Sequence, residues 1–94
     1  MRYMIQVIKT HIMRDGVKIG YIDGKHIFDH NGKRLAYFSE TEVLDESGKR
    51  VAHVVGEYVY FSRTDTKARI EDNNKLISGV VSDACRAAIR LMLG

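Results

Sequence analysis

Residues 20–35, GYIDGKHIFDHNGKRL, set above residues 36–51, AYFSETEVLDESGKRV, decide how this chain folds. Five of the sixteen positions are identical: Tyr21/Tyr37, Asp29/Asp45, Gly32/Gly48, Lys33/Lys49 and Arg34/Arg50. Ile27/Val43, Phe28/Leu44 and Leu35/Val51 are conservative, and no gap is needed. Self-similarity at a fixed period marks a repeat architecture. The period continues in weaker form on both sides. Ala52 follows Gly20 and Ala36, Val59 follows Ile27 and Val43, and Gly56 follows Gly24. Upstream, Gly16 precedes Gly32 and Gly48, and Ile12 stands in line with Phe28, Leu44 and Tyr60. About four units result, at 4–19, 20–35, 36–51 and a clipped 52–62.

Each unit carries two turn signals. The first is D-x-x-G, at Asp29-His30-Asn31-Gly32 and Asp45-Glu46-Ser47-Gly48, shortened to Arg14-Asp15-Gly16 in the first unit. An Asp carboxylate at the head of a turn accepts a local backbone N–H, and Gly follows where φ must be positive. The second lies half a period later, at Asp23-Gly24, Ser39-Glu40 and Val55-Gly56; Asp-Gly favours a tight hairpin. The segments between are rich in β-branched and aromatic residues. They predict strands near 3–9, 11–14, 17–22, 26–29, 33–38, 42–45, 49–55 and 58–62. Turns about eight residues apart leave no room for crossover helices. The fold class is therefore all-β, an up-and-down meander of tandem 16-residue hairpins. Alternation within strands is imperfect: Leu35 and Tyr37 oppose Ala36 and Phe38, and Val43 and Leu44 are both apolar. That pattern predicts strands covered on both faces.

After residue 62 the pattern changes. Residues 63–75, RTDTKARIEDNNK, carry six charged side chains before Lys75. The stretch 63–80 reads as a polar loop and connector, with a short edge strand around Ala68–Glu71 and a turn at Asn73-Asn74. Ser82 suits a helix N-cap and Asp83 the first turn. Residues 81–94 then form a C-terminal helix whose Ala84, Cys85, Ala88, Ile89, Leu91 and Met92 make a broad apolar stripe. A helix of three turns is not stable alone and must dock. With Ile89, Leu91, Met92 and Leu93 close together, it is read as lying at an interface with a second copy.

Composition bounds the rest. Ninety-four residues make one domain spanning 1–94, and 45% hydrophobic content fits a globular chain. A chain this short buries about two-thirds of its unfolded surface, so its core is thin. Proline is absent, consistent with a chain that is mostly paired strand. The net charge is +3, spread along the chain and interleaved with acids, without the clustering of a dedicated nucleic-acid binder. One cysteine excludes an internal disulfide and fits a reducing cytosol. Neither a secretory leader nor an apolar run of membrane-spanning length is visible, so a cytoplasmic location is expected.

No constellation of residues points to catalysis. His26, Asp29 and His30 are close, but alternation sends Asp29 away from His26, and His30 sits in the turn. Cys85 falls on the apolar stripe with no histidine near it in sequence. Asp29 and Asp45 recur because turn chemistry needs an Asp in each unit, whereas an active site is needed once. No cofactor or metal is expected. The repeated basic pairs are the sharper feature. Lys33-Arg34 and Lys49-Arg50 fall on one rim if the hairpins are symmetric, with Lys18 from the first unit, and Tyr21 and Tyr37 lie nearby. Such a rim suits phosphates; equally, Lys and Arg guard hairpin edges.

The tandem D-x-x-G-K-R-apolar-Ala-Tyr pattern resembles the small proteins described as a four-fold β-flower, over roughly residues 10–62. The resemblance rests on Gly16, Gly32 and Gly48, on Asp29 and Asp45, and on the two Lys-Arg pairs. It implies hairpins around a pseudo-four-fold axis and carries over no functional residues. The last unit departs from it by lacking D-x-x-G. The expected function is non-enzymatic: a small assembly or binding module acting as a homo-oligomer. The alternative is nucleic-acid or polyanion binding through Lys18, Lys33, Arg34, Lys49 and Arg50.

Overall fold

A computed structural model describes residues 5–93. Nine short strands follow one another as antiparallel neighbours: β1 (Ile5–Ile8), β2 (His11–Arg14), β3 (Val17–Asp23), β4 (His26–Asp29), β5 (Arg34–Phe38), β6 (Glu42–Asp45), β7 (Arg50–Val55), β8 (Tyr58–Phe61) and β9 (Thr66–Arg69). The expected meander is present, and residues 3 and 4 of the first expected strand lie outside the described residues. Then come α1 (Ile70–Leu76), β10 (Ile77–Ser78) and α2 (Asp83–Leu93). β10 returns to pair in parallel with β1, Ile5 opposite Ile77, so the sheet order is β10-β1-β2-β3-β4-β5-β6-β7-β8-β9.

The connector reading of 63–80 is thereby corrected. Ile70, Asn73 and Ile77 recur at helical spacing, and Asn73 and Ile77 are buried. Asn73 does not turn the chain. It sits inside α1 and accepts a hydrogen bond from Arg90 of α2. The edge strand expected at 68–71 falls two residues earlier, at β9.

The two-faced strands also have a different cause. Ile27 pairs with Ala36, but Phe28 pairs with Arg34, so Leu35 has no partner across the ladder. The same slip isolates Ile19 between β2 and β3, and Val51 between β6 and β7. These are β-bulges, one extra residue each, spaced sixteen apart. They shift the alternation, and Val51 joins the core while Ile19 packs against it.

α2 fills the inside of the curled sheet. It lies closest to β5, β7, β6 and β4 and packs against α1. Small residues permit the approach: Gly20, Ala36 and Ala52 on the sheet, Ala84, Ala87 and Ala88 on the helix. A side chain at Gly20 would collide with the Phe28 carbonyl and reach 3.0 Å from Leu93. Ser82 caps the helix as expected, its Oγ accepting from the Cys85 N–H at 3.1 Å. Around this contact Ile5, Ile12, Ile27, Val43, Val59, Ile77 and Ile89 are all buried in one cluster.

Candidate interaction surfaces

The D-x-x-G turns form as their residue types dictate. Asp29 Oδ1 accepts the N–H of Asn31 at 2.8 Å and of Lys33 at 2.9 Å. Asp45 Oδ1 accepts the N–H of Ser47 at 2.9 Å and of Lys49 at 3.0 Å, and the Ser47 hydroxyl donates at 2.6 Å. Gly32 and Gly48 adopt φ of 87° and 88°, as the turn requires. The Lys33 amide above all holds the Asp29 carboxyl below the ordinary range; for Asp45 the Ser47 hydroxyl leads. Both carboxylates are thus engaged by their own turns.

The basic rim is largely engaged within the chain. Lys33 lies 4.0 Å from Glu46, and Arg34 donates to the Glu46 carbonyl at 3.5 Å. Arg50 donates to Glu42 at 3.2 Å. The Lys18 ammonium sits over the Tyr21 ring at 5.0 Å. Lys49 is exposed in the second turn.

Of the C-terminal residues read as an interface, one is wholly inside its own chain and three are part-exposed. Ile89 is 0% exposed within its own chain, which removes it from any surface a second copy can touch. Leu91, Met92 and Leu93 are half-buried and pack on the core. The sheet curls around the helix, so one subunit covers most of its apolar circumference. Cys85 is also inside, 1% exposed, and burial pushes its thiol up to about 12. Among the described residues no group of three His, Cys, Asp or Glu side chains is placed to hold a metal ion.

Reading by residue missed the outer face. There the register sets side chains in cross-strand rows. His11, Tyr21, Phe28 and Arg34 are successive neighbours on β2 to β5. Asp23, His26, Tyr37, Leu44 and Arg50 follow one hairpin later, and Glu42, His53, Tyr60 and Lys67 one later again. Tyr21 stacks on Phe28 at 4.9 Å, His26 meets Tyr37 at 5.3 Å, and His53 stacks on Tyr60 at 5.3 Å. The signal was in the sequence: Phe28, Leu44 and Tyr60 are sixteen apart, as are Tyr21 and Tyr37. What was hidden is that residues from successive repeats meet across the ladders.

A family model described as a 4-fold beta flower protein matches residues 3–85. The chain belongs to that family. The match runs through every strand into the first turn of α2, well beyond the residues that carry the resemblance. In this β-flower the hairpin β8–β9 forms a fourth petal after β2–β3, β4–β5 and β6–β7. Its turn, Ser62–Asp65, replaces D-x-x-G and sets Asp65 at φ 51°. The family description names an architecture and no activity. No curated protein and no solved structure matches the chain. No helix among the described residues is long and apolar enough to cross a membrane.

Proposed function

We propose that this β-flower is a non-enzymatic assembly module that works as a homo-oligomer in the reducing cytosol, joining copies through the outer face of β3–β6. One observation carries the reading: Tyr21, His26, Phe28, Tyr37 and Leu44 lie in adjoining rows on that face, half-buried. Aromatic residues framed by Arg are the composition of an interface centre. Charges of both signs surround it: Asp23, Glu42 and Glu46 with Lys25, Arg34 and Arg50. A mixed rim suits a second copy related by a two-fold axis, the commonest closed assembly. The absence of enzymatic chemistry is inferred from the buried Cys85 thiol and from the two carboxylates held by their turns.

Polyanion binding through Lys18, Lys33, Arg34, Lys49 and Arg50 has weaker support, since the Glu46 and Glu42 carboxylates already face Lys33 and Arg50, and Arg34 donates to the Glu46 backbone carbonyl. Tyr21, engaged by Phe28 and Lys18, offers a nucleobase little open ring.

Light scattering across a concentration series separates the readings. The intact chain should have at least twice the 10.7 kDa mass, and Tyr37→Lys with Leu44→Lys should return it to a monomer. A monomer at high micromolar concentration refutes the proposal. Salt-sensitive binding of single-stranded DNA, flattened by changing Lys33, Arg34, Lys49 and Arg50 to Ser, would favour the polyanion reading.

A further inference from the structure

Among the described residues the sheet ends at β9, whose far side pairs with no strand. The Ile70 N–H donates to the Glu57 carbonyl at 2.9 Å, and antiparallel pairing alternates. The backbone groups of Ala68 and Thr66 therefore turn towards β8, and those of Lys67 turn away from it. Beside this edge, between β9 and the last turns of α2, lies a cavity of about 250 Å³ lined by Phe61, Thr64, Thr66, Ala68, Arg90 and Leu91, with Lys67 at its lip. Its lining holds no carboxylate; Arg90 is the cation beside it, and the Lys67 ammonium lies 4.5 Å from the Tyr58 ring centre on the outer side of the strand. Arg69 adds a further cation on the same strand. Of the neighbouring acids, Asp65 lies in the adjoining turn, and Glu71 already answers Arg69 and Lys75, each at 3.9 Å.

From this we infer a second binding site, independent of the assembly face: an extended acidic peptide adds to the β9 edge, pairing with the Lys67 backbone and placing a carboxylate side chain in the cavity towards Arg90. Strand addition takes affinity from main-chain hydrogen bonds and specificity from a pocket for alternate side chains. The charge pattern selects the occupant. Two copies of β9 paired about a two-fold axis would set Lys67 and Arg69 against their own kind, and like charges facing across a ladder destabilise it. This edge rejects a second copy, whereas the mixed rim of the outer face accepts one. Phe61 anchors the site, with the Arg90 guanidinium 5.6 Å from its ring centre.

The probe is a fluorescein-labelled eight-residue peptide alternating Val and Glu, with a Val–Lys peptide as control, titrated against the full chain. The acidic peptide should raise the anisotropy, its binding should weaken with salt, and the Lys67 amide should become protected from hydrogen exchange. Arg90→Gln should weaken binding about tenfold. Lys67→Glu should lose the acidic peptide and gain the basic one, a switch that a misfolded variant cannot produce. No binding at about 1 mM, equal binding of both peptides, or an unchanged preference in Lys67→Glu overturns the inference. Light scattering reads the assembly proposal separately, so either can fail alone.

Discussion

At the residue scale, the repeat motif is an instruction for a turn. Asp29 and Asp45 each hold two backbone N–H groups, and the glycines that follow enter the left-handed region at φ of 87° and 88°. Replacing Gly32 or Gly48 with Val should destabilise the fold by roughly 1–2 kcal/mol, measured by denaturant unfolding. An unchanged midpoint would remove the turn's claim on glycine. The carboxylates make stability pH-dependent with a definite sign. Their folded pKa values lie below the ordinary 3.8. Their contribution is therefore complete above that value and is lost as pH falls through the lower folded pKa values. Acid unfolding should steepen below about pH 4, and Asp29→Asn with Asp45→Asn should flatten that limb. These turns were legible in the sequence because their chemistry is local.

At the scale of elements, legibility follows length and periodicity. Eight strands and α2 repeat their pattern often enough to be placed by eye. α1 escaped because its buried position is Asn73, a residue that reads as a turn former until Arg90 supplies a partner. β10 is two residues long and has no period to show. The bulges at Ile19, Leu35 and Val51 were visible only as broken alternation, since a register slip is a property of two strands. The interior of α2 is set by close contact with the sheet. Ala88→Leu should cost about 1–3 kcal/mol by overpacking, and Ile89→Ala about 2–5 kcal/mol by leaving a cavity. Thermal unfolding of the two variants tests whether the helix is plug or ornament. Near-native stability in both would show that the sheet holds without it.

At the scale of the whole molecule, a ten-stranded sheet is organised around one helix of eleven residues. The sequence places the helix at an interface because it is apolar around more than half its circumference, more than one docking surface hides. A curled sheet covers more, and curvature could not be read from periodicity. The surface consequences were equally hidden. The outer rows join residues from different repeats, and the β9 edge exists because the fourth petal has no following strand. Removing residues 83–94 should therefore abolish cooperative unfolding as well as assembly. A truncated chain that still melts in one transition would show that the petals stand alone.

The parallel pair joining Ile5 to Ile77 has a kinetic consequence. Every other ladder links neighbours in sequence, so each hairpin can zip on a microsecond scale at little entropic cost. Adding β10 beside β1 must wait for the C-terminal segment to be made. A nascent chain emerging from the ribosome would carry several finished hairpins around an empty centre until β9, α1, β10 and α2 arrive. The rate-limiting event would be the arrival of the plug, with the petals already drawn up to receive it. Ile77→Ala should then slow refolding in stopped-flow experiments, and an unchanged refolding rate with faster unfolding would place the Ile5–Ile77 pairing after the transition state.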